Sequence, residues 1–143
     1  MQTTALELTT QQKRSISNYR RMGIDIYLTD SNTVQITQSK LFNGYLLNQK
    51  QLIDRAKEIF PDQKVKPSVY SVDVTNIDID WVRKKMDEFG IKRKDIIKQL
   101  AIDKSTLSSM FSGDRGLTKS QRAAFFFYFL TYELNYEFRH QSF

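Results

Sequence analysis

The chain has 143 residues, 40% of them apolar and 13% aromatic, with no cysteine and a formal charge of +6 from 22 basic and 16 acidic side chains. That length fits one ordinary domain or two small ones, and that apolar content excludes a disordered chain. Lack of cysteine removes disulfides and thiolate metal sites, while the basic excess suits a polyanion such as nucleic acid without requiring one.

Residues 1–5 have neither the basic nor the apolar region of a signal peptide. The most apolar run, 123–130, is too short to span a bilayer. A cytoplasmic protein with no membrane partner is therefore expected, and a protein carried in a phage particle stays open.

Thr9 and Gln12 stand at capping-box spacing and predict a helix over 10–22, with Gly23 as its stop. Ile24, Ile26 and Leu28, then Val34 and Ile36, alternate with polar neighbours on either side of Asp30-Ser31-Asn32, the pattern of a β-hairpin. Residues 41–47 read as a further short strand, with Gly44 marking a bend or bulge. Asn48 and Gln51 repeat the cap spacing and open a helix through Leu52, Ile53, Ala56 and Ile59, which Pro61 ends. Val65 and then 69–74 make a last strand, with Pro67 favouring an edge.

After Thr75 the hydrophobic period lengthens from two to nearly four. Asp78 is placed to cap a helix carrying Ile79, Val82, Met86 and Phe89, and Gly90 ends it. Ile96, Ile97 and Leu100 mark a second, short helix. Asp103 is placed to cap a third, with Leu107, Met110 and Phe111 inward and Gly113 as its stop. Thr118 and Gln121 open a fourth, running to about Asn135. The expected fold class is α+β: a small amino-terminal α/β unit with a β-hairpin over 1–75, then an all-helical helix-turn-helix domain over 76–143. Ten basic and seven acidic residues fall in the first part and twelve and nine in the second, so each carries +3.

The two short helices that meet between Leu100 and Lys104 have the layout of a helix-turn-helix, whose second helix lies in the DNA major groove. The stretch from Arg93 to Gly113 resembles the lambda repressor and Cro family: Ile96, Leu100, Ile102, Leu107, Met110 and Phe111 fall on that family's core positions, and Ser112-Gly113 matches its closing pair. The resemblance covers about 76–136 and implies a prokaryotic or phage transcriptional regulator that docks 103–112 on double-stranded DNA. It implies base reading by Lys104, Ser105, Ser108 and Ser109. Phosphate contacts would come from Arg93, Ser112, Arg115 and Lys119. Two positions depart from the family, which favours Ala in place of Ile97 and Gly in place of Ala101. Ala is less comfortable than Gly if that turn needs a positive φ.

Simpler readings stand beside these. Arg93, Lys94 and Lys98 also fit a solvated helix face, and Ser105 and Thr106 fit first-turn residues bonding local backbone. No Arg, Asn or Gln, the best specific base readers, lies between Lys104 and Ser112. The runner-up function is accordingly a protein-interaction or virion-associated module that keeps the helix-turn-helix fold without reading DNA.

Phe125, Phe126, Phe127, Tyr128 and Phe129, followed by Leu130, Tyr132 and Leu134, exceed what one helical stripe of about 100° buries. A protein interface is expected there, with a homodimer partner, the amino-terminal unit or another protein all open. Catalysis has little support. His140 is the only histidine and sits in a polar tail, and Asp73, Asp78 and Asp80 have no His or Cys near them to build a metal set. No phosphate loop or nucleophile elbow is present. The expectation is a non-enzymatic protein with no cofactor, no metal and no small-molecule substrate.

Overall fold

The computed structural model describes residues 7–141, with side chains described through Tyr136. The expectations for residues 1–5 and for the His140 side chain lie outside the described residues. The chain divides into two compact units, Met1–Ser71 and Val72–Phe143, a few residues ahead of the expected boundary.

The first unit runs α1 (Thr10–Arg21), β1 (Ile24–Asp30), β2 (Thr33–Gln38), α2 (Gln49–Ile59) and β3 (Lys64–Ser68). Both expected capping boxes are formed. The Thr9 hydroxyl accepts from the Gln12 N–H at 3.0 Å while Gln12 Oε1 accepts from the Thr9 N–H at 2.9 Å, and Asn48 and Gln51 repeat the exchange. β1 and β2 form the predicted antiparallel hairpin, with Ile26 opposite Ile36 and Leu28 opposite Val34. The Asp30 carboxylate accepts from the Asn32 N–H at the tip, which holds that acid below the usual carboxylate range. Period-two alternation sends Ile24, Ile26, Val34 and Ile36 to one face, where they pack with Ile16 of α1 and Leu52, Ala56 and Ile59 of α2. β3 returns parallel to β2 at the sheet edge, where Pro67 sits opposite Ile36 and its missing N–H removes no bond an inner strand would need.

Two predicted strands are corrected. Residues 41–47 form no strand, because Asn43 (φ 54) and Gly44 (φ 71) both take the left-handed conformation and break the extended chain. A buried side chain, not a sheet edge, serves that backbone: Gln38 donates to the carbonyls of Tyr45 (2.7 Å) and Lys40 (3.3 Å) and accepts from the Leu47 N–H (3.0 Å). The expected last strand exists at Val65 and Pro67, as β3, but its continuation over 69–74 is absent. Pairing ends at Thr37 opposite Ser68, so the chain beyond Ser68 has no strand to continue on, and Val69 is exposed.

The second unit is helical: α3 (Ile79–Phe89), α4 (Arg93–Leu100), α5 (Lys104–Ser112) and α6 (Lys119–Gln141). Asp78 accepts from the Trp81 N–H at 2.9 Å, and Gly90 closes α3 with φ 68. Thr118 and Gln121 exchange the two bonds of a capping box, and α6 runs past the expected end near Asn135. Asp103 holds the cap position of α5, yet its side chain makes no capping bond; only its carbonyl serves the helix, accepting from the Leu107 N–H at 2.9 Å. The core gathers Val82, Ile91, Ile96, Leu107, Met110 and Phe111, with Leu100 partly buried beside them.

The aromatic helix requires the largest correction. Phe125, Tyr128 and Phe129 face this unit's own core instead of an outside surface. Their i, i+3, i+4 spacing makes one stripe, and α6 buries more than an ordinary surface helix because several helices meet it. Trp81 of α3 packs edge-on to Phe129 at 5.6 Å, and Gln99 of α4 accepts from the Tyr128 and Tyr132 hydroxyls at 2.6 Å each. Burial, then the neighbouring Tyr132 hydroxyl, pushes the Tyr128 phenol up. Phe126 and Phe127 remain outside that core, half-buried and edge-to-face with each other at 5.1 Å. Among the described residues no helix is long and apolar enough to cross a membrane.

Candidate nucleic-acid interface

Only Ala101, Ile102 and Asp103 separate α4 from α5. A link so short reverses direction through a left-handed residue, and Ala101 takes that conformation with φ 53 and ψ 44. Ile102, partly buried against the core, pins the turn from inside. A Cβ in this conformation costs about 1–2 kcal/mol, which glycine avoids at the expense of roughly 0.5–1 kcal/mol of extra freedom in the unfolded chain. Ala101→Gly is therefore expected to stabilise the helical unit by about 0.5–1 kcal/mol. The measurement is a urea midpoint followed by fluorescence of Trp81, the single tryptophan. A lower midpoint at unchanged slope would contradict the strained turn.

α5 divides cleanly by face. Leu107, Met110 and Phe111 sink into the core, while Lys104, Ser105 and Ser108 are exposed and Ser109 is half-exposed. The Ser109 carbonyl accepts from the Ser112 hydroxyl at 3.1 Å and from the Arg115 N–H at 3.2 Å, so these three residues belong to one turn. The Ser112 hydroxyl also lies 3.0 Å from a carboxylate oxygen of Asp114. Ser112 is thus engaged within its own chain and sits beside a negative charge, a poor setting for a phosphate. Arg115 and Lys119 are exposed, and Arg122 is half-buried with its Nε donating to the Leu117 carbonyl at 3.3 Å.

Arg93, the first residue of α4, is exposed and lays its guanidinium over the Phe111 ring at 4.2 Å. Arg83 of α3 lies over the same ring at 5.0 Å and donates to the Phe111 carbonyl, which closes the end of α5. Two cations thus gather at Phe111, each contact worth about 0.5–1 kcal/mol when solvent-exposed. Sequence reasoning missed Arg83, since nothing local links it to a ring 28 residues away. The acidic residues that might suggest a metal have other work: Asp73 accepts from the Thr75 N–H and Asp78 caps α3. Among the described residues no group of three or more His, Cys, Asp or Glu side chains is placed to hold a metal ion.

Fold and site together define an α+β chain whose helical unit presents a short, exposed, hydroxyl-rich helix behind a left-handed turn. No family model, curated protein or solved structure matches the chain.

Proposed function

We propose that the helical unit is a helix-turn-helix DNA-binding module of the lambda repressor and Cro type, serving a cytoplasmic prokaryotic or phage transcriptional regulator and not an enzyme. The observation that carries this reading is the left-handed Ala101 between two short helices, the second of which buries Leu107, Met110 and Phe111 and leaves Lys104, Ser105 and Ser108 to solvent. α5 enters the major groove by its amino-terminal end, where Lys104 donates to a base edge and Ser105 and Ser108 supply adaptable hydroxyls. Arg93 neutralises a phosphate with the guanidinium edge left free by its stacking on Phe111, and Arg115 and Lys119 contact backbone beyond the helix. Phe126 and Phe127, which the core leaves unused, are α6 residues available to a twin subunit binding a second half-site.

The test is a duplex-DNA titration at two salt concentrations. Lys104→Ala removes a contact worth about 1–3 kcal/mol of discrimination at one base pair, so it weakens preferred sites more than random duplex. Arg93→Ala weakens all duplexes alike and lowers the salt slope by about 0.9. One observation favours a protein-interaction or virion-associated module instead: α5 carries no Arg, Asn or Gln. An absence of duplex binding even at low salt, where the phosphate attraction is strongest, would replace the DNA reading with that one.

A further inference from the structure

The amino-terminal unit holds an open cavity of about 600 Å³, within the size range of small-molecule sites. Its lining is mostly apolar. Ile24 is buried and Leu47 half-buried, whereas Met22, Phe42 and Tyr45 remain 53%, 45% and 72% exposed around it. Large apolar side chains left to water around one concavity mark a surface meant to be covered. Gln38 also lines it, but both ends of its amide are spent on the backbone of 40–47.

The remaining polarity is of one sign. Arg21, the last residue of α1, and Arg55 of α2 both line the cavity, and none of its lining residues is acidic. The Arg21 side chain has no hydrogen-bond or ion-pair partner among the described residues, while Arg55 gives Nη1 to the Gln51 carbonyl at 3.1 Å and keeps its other donors. A cation at the end of α1 also suits the helix dipole, but that does not account for a second guanidinium from another helix on the same apolar hollow. Guanidinium forks match carboxylates in a bidentate way, and the bond is stronger beside apolar walls than in open water.

We infer that this cavity is a binding site for a small organic anion with an apolar body, of the class of aromatic or medium-chain carboxylates. The body lies against Ile24, Leu47 and Tyr45 and the carboxylate meets Arg21 and Arg55. No sign of such a ligand was visible in the sequence, and the site stands whether or not the helical unit binds DNA.

The experiment titrates the full chain by calorimetry with 2-naphthoate, with 2-naphthalenemethanol as the neutral body, and with acetate as the bare anion. 2-Naphthoate is expected to bind at least about tenfold tighter than the alcohol, equivalent to 1.4 kcal/mol. Acetate is expected to give no measurable heat. Arg21→Gln together with Arg55→Gln abolishes the preference for naphthoate and leaves the alcohol unchanged. Tyr45→Ala, at an exposed position that the fold does not depend on, weakens both aromatic probes. Equal affinity for naphthoate and alcohol, naphthoate binding that survives the double arginine substitution, or no binding of either aromatic probe overturns the inference.

Discussion

Phe125→Ala is expected to cost the helical unit about 3–5 kcal/mol, a large share of the stability of a unit of this size. Phe125 is fully buried, stacks on Phe129 with ring centres 6.2 Å apart, and belongs to the cluster that also holds Val82, Ile96 and Leu107. Truncation removes the ring from that cluster and leaves a cavity that the surrounding helices fill only in part. Phe126→Ala, one residue along, removes an equally large ring from outside the core and is expected to cost about 1 kcal/mol or less. Trp81 reports both, because it packs against Phe129 and is the only tryptophan. Equal losses from the two substitutions in urea titrations would mean that α6 buries Phe126 as deeply as Phe125 and would overturn this division of its faces.

Those adjacent phenylalanines show where sequence reasoning stops. Helix existence was legible because its signals are local: Thr9 with Gln12, Asn48 with Gln51 and Thr118 with Gln121 each close a bond within one turn. The hairpin was legible because alternation on either side of Asp30-Ser31-Asn32 puts Ile24, Ile26, Val34 and Ile36 on one face, although the chain closes it through Ser31 and Asn32 alone, with a bulge between Leu28 and Asp30. The exposed face of α5 followed from the spacing of Leu107, Met110 and Phe111. The orientation of α6 was not legible, since a run of five aromatics has no polar gap to mark a face. Burial there is decided by Trp81 and Gln99 arriving from other helices.

The same limit governs the loops and both candidate sites. Leu41 to Leu47 is apolar enough for a strand, but Gln38 takes up its backbone bonds from the end of β2, and no local pattern announces a side chain doing the work of a strand. Arg83 and Arg93 both lie over Phe111, and Arg21 and Arg55 both line the cavity, only after separate helices have packed. A single sequence shows charges and rings at such places without showing which ones converge.

Gly23→Ala is expected to cost the amino-terminal unit about 2–4 kcal/mol, the sum of two separable causes. The first is conformational: Gly23 has φ +84, which an added Cβ disfavours by about 1–2 kcal/mol. The second is steric. That Cβ would lie 2.8 Å from the Lys40 carbonyl oxygen and 2.9 Å from the Lys40 Cβ, inside van der Waals contact. The neighbour cannot retreat freely, because the Gly23 carbonyl accepts from the N–H groups of Ser39 (2.8 Å) and Lys40 (3.2 Å) and draws the two strands together there. Gly113 separates the causes: it has φ +87 with nothing within 4 Å of an added Cβ, so Gly113→Ala suffers the conformational cost alone. Native-state hydrogen exchange reads each unit independently. The β2 amides are expected to exchange roughly 30- to 1000-fold faster in Gly23→Ala, following the factor of ten per 1.4 kcal/mol. The same variant leaves the amide of Ile96 in α4 unchanged, since each unit has its own core. In Gly113→Ala the helical amides quicken by roughly 5- to 30-fold, as 1–2 kcal/mol requires, and β2 is untouched. A Gly23→Ala effect no larger than that of Gly113→Ala would mean that Lys40 moves aside at little cost, and that the close approach at Gly23 is not what fixes the path of the chain out of β2.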